Sequence, residues 1–453
     1  MIQYLVLFLA ICCCLLPNPL AAQDPISRGL RLPPSLSFAI SPNPVGSGAR
    51  AIGWGTAFIA VADDATAASH NPGGLVQLEQ PEISIVGSYF FRHDDQDVNR
   101  ADTVIEDQNL DRIELNYLSV VYPFRLLHRN VTVSLNFQRL FNMAGDSDVA
   151  SILDPSKCAC AAVQRVSSRQ TGQLFTISPA VAVQITPTFS VGVALNIWPD
   201  LFDNGWKQKV EVMSEGTISS SNRIVPFTSR GRIDEEFSFE GVNATIGFLW
   251  TINSIFTVGG VMRTPFTAKV KHQHTSELTF TLADGSEPLR IADHFTETLD
   301  MDMPLSYGLG VAAVISDSLT LALDVSRVHW SDFELEPARQ ANTVIIENAA
   351  PSGKGAAVLN GGGDDITSVR LGAEYQWILP RLAVPFRAGV FYDPEPGDGG
   401  TDNFFGFSLG AGLVTGKIVL DMAYAFRTGR IKSGTNDTDV YQHTLISSLI
   451  YHF

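Results

Sequence analysis

Apolar and polar side chains alternate with a period of two through most of the chain. In Val131–Gln138 (VTVSLNFQ), Val131, Val133, Leu135 and Phe137 face one way, and Thr132, Ser134, Asn136 and Gln138 the other. In 369–377 (VRLGAEYQW), Val369, Leu371, Ala373, Tyr375 and Trp377 alternate with Arg370, Gly372, Glu374 and Gln376. In 418–427 (IVLDMAYAFR), Ile418, Leu420, Met422, Tyr424 and Phe426 alternate with Val419, Asp421, Ala423, Ala425 and Arg427. Ile113, Leu115, Tyr117 and Val121 are set against Arg112, Glu114 and Asn116 in the same way. Successive strand side chains point to opposite faces, so each such stretch reads as a strand with one apolar face.

The pattern predicts fourteen strands, at 82–91, 112–122, 131–142, 173–184, 189–198, 240–250, 255–263, 305–315, 319–330, 367–377, 384–392, 403–413, 417–427 and 440–453. Short links follow the even-numbered strands up to the twelfth, and longer ones follow the odd-numbered strands. That alternation is the layout of a transmembrane antiparallel barrel, and the strand lengths suit a tilted crossing of about 9–11 residues. A secreted β-sandwich explains the half-buried faces but not the alternating links. In a barrel the apolar faces meet lipid and the polar faces line a lumen. Phe137, Leu371, Tyr375, Leu420 and Tyr424 are therefore expected to face lipid, and Asn136 the lumen. Arg112, Glu114, Arg370, Glu374, Arg387, Asp421 and Arg427 are expected inside, as an ion-pair network or as partners for a ligand carboxylate. Pro179 lies in mid-strand and lacks an N–H, which marks a candidate lateral opening in the wall.

The chain has 453 residues, with 47 acidic against 31 basic, a net charge of −16. An acidic balance argues against a nucleic-acid partner. Only 17% of residues are charged and 45% are hydrophobic, which excludes a disordered chain. Leu5–Leu16 is uncharged and too short to span a bilayer, so residues 1–22 read as a signal peptide cleaved after Ala22. Met1–Tyr4 lacks the usual basic residue, and Ile11 stands where lipidation at Cys12 would want a small residue. Cys158 and Cys160 then remain, too few for a disulfide framework and read as a local pair or free thiols in a loop.

Residues 23–81 do not alternate. They are expected to form a luminal hatch (plug) ahead of a barrel at 82–453. Asp63 and Asp64 precede an Ala-rich stretch that they are placed to cap, and Asn71-Pro72-Gly73-Gly74 is a turn signal. Gly53, Gly55, Ala57, Ala60, Ala62, Asp63, Asp64, Ala65, Asn71, Pro72, Gly74 and Leu75 resemble the N-terminal motif of the FadL/TodX family, with Gly73 in place of the usual Ala. The resemblance implies a fourteen-stranded barrel with an N-terminal hatch in the outer membrane of a Gram-negative bacterium, passing long-chain fatty acids or other hydrophobic compounds. A similar motif occurs in barrels of secretion or assembly systems, which is the alternative function. Phe453, ending a strand face of Tyr441, His443, Leu445, Leu449 and Tyr451, is similar to the terminal signal read by the outer-membrane barrel assembly machinery.

Catalytic signatures are missing: there is no Gly-x-Ser-x-Gly, His-Glu-x-x-His or P-loop, so neither an enzyme nor a cofactor is expected. His443 and Ser447 share a strand side, but it is the lipid side. His272 and His274, in an expected loop, are too few alone for a metal site. Gly361-Gly362-Gly363-Asp364-Asp365 reads as a flexible loop rather than a Ca²⁺ site. The apolar loop stretches 197–202 and 278–282 are candidate grooves for a hydrophobic ligand or local mini-cores.

Overall fold

The computed structural model describes residues 30–31, 36–37, 47–97, 103–105, 108–153, 160–220, 223–335, 344–345, 358–359, 363–397, 400–433 and 436–453. The alternating segments pair into a closed barrel of 14 antiparallel strands. They are β1 (Glu82–Asp97), β2 (Gln108–Leu126), β3 (Arg129–Asn142), β4 (Cys160–Thr186), β5 (Phe189–Trp198), β6 (Arg223–Thr251) and β7 (Phe256–Arg263). The second half comprises β8 (Ser306–Ser316), β9 (Leu319–Val328), β10 (Ile366–Ile378), β11 (Ala383–Tyr392), β12 (Phe404–Thr415), β13 (Ile418–Ser433) and β14 (Asn436–His452). Each strand pairs with the next, and β14 pairs with β1 from His452↔Glu82 to Asp437↔Asp97, which closes the ladder. Residues 1–22 and Cys158 lie outside the described residues.

Side-chain exposure follows the alternation. Leu420 is 45% exposed and Asp421 2%. Leu371 and Tyr375 are exposed, while Asn136 and Glu374 are buried on the inner side. Phe137 and Tyr424 are half-buried against neighbouring rings, Phe175 and Phe407. Outward aromatics collect near the short-turn rim (Tyr122, Trp250, Trp377, Tyr451), where ring and polar tip meet the lipid–water boundary.

Two expectations are corrected. Tyr117 and Val121 face inward, not lipid, because the β1–β2 register shifts between Val86 and Gly87, with Val86 opposite Tyr117 and Gly87 opposite Leu115. Asn116 is the extra residue, and a bulge of one residue moves every later side chain to the other face. Leu118, Val120 and Tyr122 take the lipid side instead.

The second correction concerns the links around 143–172, 199–239 and 264–304, which are largely strand. The strands Gly145–Leu153, Gly205–Ser220, Phe266–Leu282 and Leu289–Met303 pair with one another or with the upper halves of β4 and β6, carrying this side of the wall beyond the membrane. Along β6 the outward series changes from Trp250, Ile246 and Val242 to Glu240, Glu236, Arg232 and Arg230. The strand continues where lipid gives way to water, so an apolar pattern marks its end too early. Pairs such as Lys207–Glu236 (2.9 Å) and Lys269–Asp300 (2.5 Å) line that outer face. His272 and His274 thus lie on a strand, not in a loop.

Arg at a mid-bilayer, lipid-facing position costs about 2–4 kcal/mol. Leu420→Arg is therefore expected to reduce the heat-modifiable, assembled barrel on gels far more than Val419→Thr; equal effects of the two would contradict this register.

Candidate functional site

The segment Ser47–Leu78 has little regular structure: α1 (Ala49–Gly53), α2 (Ala67–His70) and a 3-10 turn, Pro72–Gln77. Small residues let its backbone approach the wall, and it is held by bonds to strands around the barrel. Ser448 Oγ on β14 accepts from Ala49 N (2.7 Å), Ser408 Oγ on β12 accepts from Gly55 N (2.9 Å), and Asp324 on β9 accepts from Ile59 N (2.8 Å). Ser119 on β2 donates to Ala65 O (3.1 Å), and Tyr117 OH lies the same distance from that oxygen. Ser190 on β5 donates to Gly73 O (2.7 Å), and Asn71 donates to Phe248 O on β6 (2.8 Å). Gly55 has φ +63°, which strains any side chain, and a Cβ there would stand a tight 3.1 Å from Gly389 Cα on β11. A Cβ on Gly74 would collide with Ala62 O. Ala57 is fully buried. Pro72 opens the 3-10 turn, with Asn71 as its cap accepting from Gly73 N.

The expected inward charges fall into separate groups. Arg387 joins Glu374 (2.6 Å) and Asp421 (2.5 Å), and Arg50 of α1 reaches the same Glu374 (3.1 Å) and Asp63 (2.6 Å). Asp63 is thus an ion-pair partner rather than a cap, while Asp64 accepts from Thr66 N (2.8 Å) and Thr66 Oγ (2.6 Å) just ahead of α2. Arg427 pairs with Glu395 (2.7 Å) and with Asp393 (3.5 Å), which it shares with Arg370, and lies 3.8 Å over the Phe404 ring. Glu114 pairs with Arg139, whereas Arg112 donates to Asp111 O (2.8 Å) and joins no ion-pair network among the described residues. Arg370 donates to Ser326 Oγ (2.9 Å) and Asp393 (2.7 Å).

Arg370 also lines a cavity of about 90 Å³ between the N-terminal segment and β7–β10, with Arg263, Arg327, His70 and Asp324. Burial, and after it the repulsion of Arg263 and Arg370, pushes the His70 imidazole down to about 3, so the ring is neutral. Sequence reading missed Arg50, Arg263 and Asp324; the inward parity of Asp324 in LALDV was the available signal.

Two further features adjoin one another on β5. The first is an aromatic cluster, with Trp198, Trp206, Phe237, Phe239, Trp330 and Phe333 at its centre, reaching from β5 to the turn after β9. It takes up Trp198 of the expected 197–202 groove, while Leu201 and Phe202 stay exposed. The second is at Pro179. The β3 side of β4 pairs without interruption there (Leu135↔Pro179). On the β5 side the ladder passes from Ile177↔Ile197 to Ala180↔Ala194, leaving two pairs unmade at unchanged register. One side-chain bond crosses the break, Ser178 Oγ donating to Asn196 (3.0 Å), within a row in which Tyr117 OH donates to Asn136 (2.8 Å), Asn136 to Ser178 O (2.7 Å) and Asn196 to Thr245 (2.9 Å).

Removing one partner of a buried charge network costs about 3–5 kcal/mol, because the others stay buried and uncompensated. Arg387→Leu leaves Asp421 facing Arg387's former position with no cation, and is expected to lower the urea midpoint of the folded barrel; combining it with Asp421→Asn is expected to recover part of the loss. A single variant as stable as wild type would contradict the network.

The family model described as outer membrane protein transport protein (OMPP1/FadL/TodX) matches residues 46–445. A Pseudomonas aeruginosa FadL homologue is similar in structure, with TM-score 0.57 and 13% identity, covering 94% of this chain and 100% of that one. The CymD monoaromatic hydrocarbon channel gives 0.54 and 17%, covering 91% and 98%. The Ralstonia pickettii toluene transporter TbuX gives 0.53 and 14%, covering 90% and 98%. No curated protein matches the sequence. With its 14-strand barrel and a family match across most of its length, this chain belongs to the OMPP1/FadL/TodX family of outer-membrane transport proteins.

Proposed function

We propose that the protein passes small hydrophobic molecules, such as long-chain fatty acids or aromatic hydrocarbons, passively across the outer membrane and releases them sideways into the bilayer. The observation that carries this reading is the continuity between the aromatic cluster and the ladder break. Trp198, in the cluster, and Asn196, at the break, are successive inward residues of β5, about 7 Å apart. A hydrophobic solute held among the rings lies one inward residue from a place where two backbone pairs are missing; the other two-pair gap among the described strands, at Pro385 between β11 and β12, lies by the short-turn rim, away from the cluster. A closed ladder offers no way into lipid; at Pro179 only side-chain hydrogen bonds need to part. The names of the similar channels for monoaromatic hydrocarbons and toluene support this class of solute.

In the same reading, residues 1–22 are the cleaved export signal and residues 23–81 the hatch. Gly53, Gly55, Ala57, Asp63, Asp64, Asn71, Pro72 and Gly74 seat the hatch against the wall, so the direct path down the barrel is shut and the lateral one remains. The inward charges Glu374, Arg387 and Asp421 hold it through Arg50.

The test uses purified protein in liposomes, with Ser178→Cys and Asn196→Cys introduced after replacing Cys158 and Cys160 by Ser. Reduced protein is expected to take up a fatty acid or an alkylbenzene, and oxidation to cut the rate at least tenfold, reversibly. Uptake unaffected by the crosslink would overturn the exit route. No uptake by the reduced or the wild-type protein would overturn transport in favour of a secretion or assembly role.

A further inference from the structure

We propose that Glu235, His272 and His274 form a binding site for a divalent transition metal, Zn²⁺ in the first instance, in the part of the wall that stands outside the membrane. The residues are brought together by strand register. His272 and His274 lie on one face of Phe266–Leu282, with Glu235 of β6 opposite His274 and Glu297 of Leu289–Met303 opposite His272. Glu235, His272 and His274 are buried, and one potential ligand atom from each lies within 4.8 Å of the others. The Glu235 carboxylate stands 2.6 Å from His272 Nε2 and 2.7 Å from His274 Nδ1.

The surroundings have the organisation that metal-binding histidines need. Glu297 lies 3.0 Å from His272 Nδ1, the carboxylate–histidine contact that fixes a tautomer and turns Nε2 toward a metal. Phe237 stacks on His272 at 4.4 Å and Phe295 on His274 at 4.7 Å, which holds both rings in plane. His274 Nε2 and Ser276 Oγ, on the same strand face, are buried without a hydrogen-bond partner among the described residues. Two glutamate side chains, Glu235 and Glu297, stand against the two imidazoles, so a divalent cation would meet charge complementarity at this buried position. Two imidazoles and one carboxylate with a position left open is a donor set for Zn²⁺ and its neighbours, not for Ca²⁺ or Mg²⁺. Bound there, the ion would tie β6 to the strand Phe266–Leu282 above the membrane.

The test is titration of chelator-treated, detergent-purified full-length protein with Zn²⁺ alone, by calorimetry and by metal analysis after dialysis. One equivalent is expected, displaced by chelator, with Co²⁺ in its place giving visible d–d absorption bands. Glu235→Gln and the His272→Ala/His274→Ala pair are expected to weaken binding at least a hundredfold, and Glu297→Gln about 10–100-fold. His294→Ala, an exposed histidine on the adjacent strand, should bind as wild type. Heat-modifiable mobility shows whether each variant still forms the barrel. Should the ligand variants fail to fold, the wild-type stoichiometry, the cobalt spectrum and the graded Glu297→Gln effect still decide. Less than one equivalent in folded wild-type protein, or equal binding by a folded double-histidine variant, would overturn the site.

Discussion

In the hydrocarbon of a bilayer no water is available to an unpaired N–H or C=O, and each one left bare costs several kcal/mol. This constraint dictates the closure of β14 onto β1, and it gives a single proline its weight. At Pro179 the β4–β5 ladder loses two pairs while the register on either side is unchanged. The hydrogen bonds from Tyr117 through Asn136, Ser178 and Asn196 to Thr245 then cross β2 to β6 on the inner face, so that the wall is sealed there by side chains rather than backbone. Side-chain bonds part without unzipping a strand, which is why the proposed exit is placed here rather than at the similar gap beside Pro385, near the short-turn rim.

The inside of the barrel answers a second demand, that buried charges be paired. Arg50, Asp63, Glu374, Arg387 and Asp421 link the N-terminal segment to β10, β11 and β13. Such networks add little net stability but strongly penalise rearrangement that leaves one member alone. The glycine pair Gly55–Gly389 adds a steric condition, since a Cβ on Gly389 would collide with Gly55 N and Gly55 itself has φ +63°. Together they fix one seating for the segment.

The fourteen crossings were legible because lipid outside and water inside impose a period of two that strands such as β10 and β13 obey residue by residue. Glu374 and Asp421 could be placed inside from parity alone. Tyr117 and Val121 could not, because a one-residue bulge at Asn116 leaves no mark in the composition. The continuation of β4 and β6 above the membrane was hidden for a related reason: Glu236, Arg232 and Arg230 occupy the same outward face as Val242 and Ile246, but they meet water. With those strands read as loops, the facing of Glu235 with His272 and His274 was out of reach. The contact of Arg50 with Glu374, 324 residues apart, had no sequence signal beyond the presence of the charges.

The proposed function requires that the N-terminal segment shut the direct path while the wall provides the lateral one. Planar-bilayer recording of protein lacking Gly46–Leu75, inserted beside the full chain, tests it most directly. The account predicts a wide, ion-conducting pore for the deletion and low conductance for the full chain. Assembled deletion protein whose conductance matches that of the full chain would contradict it.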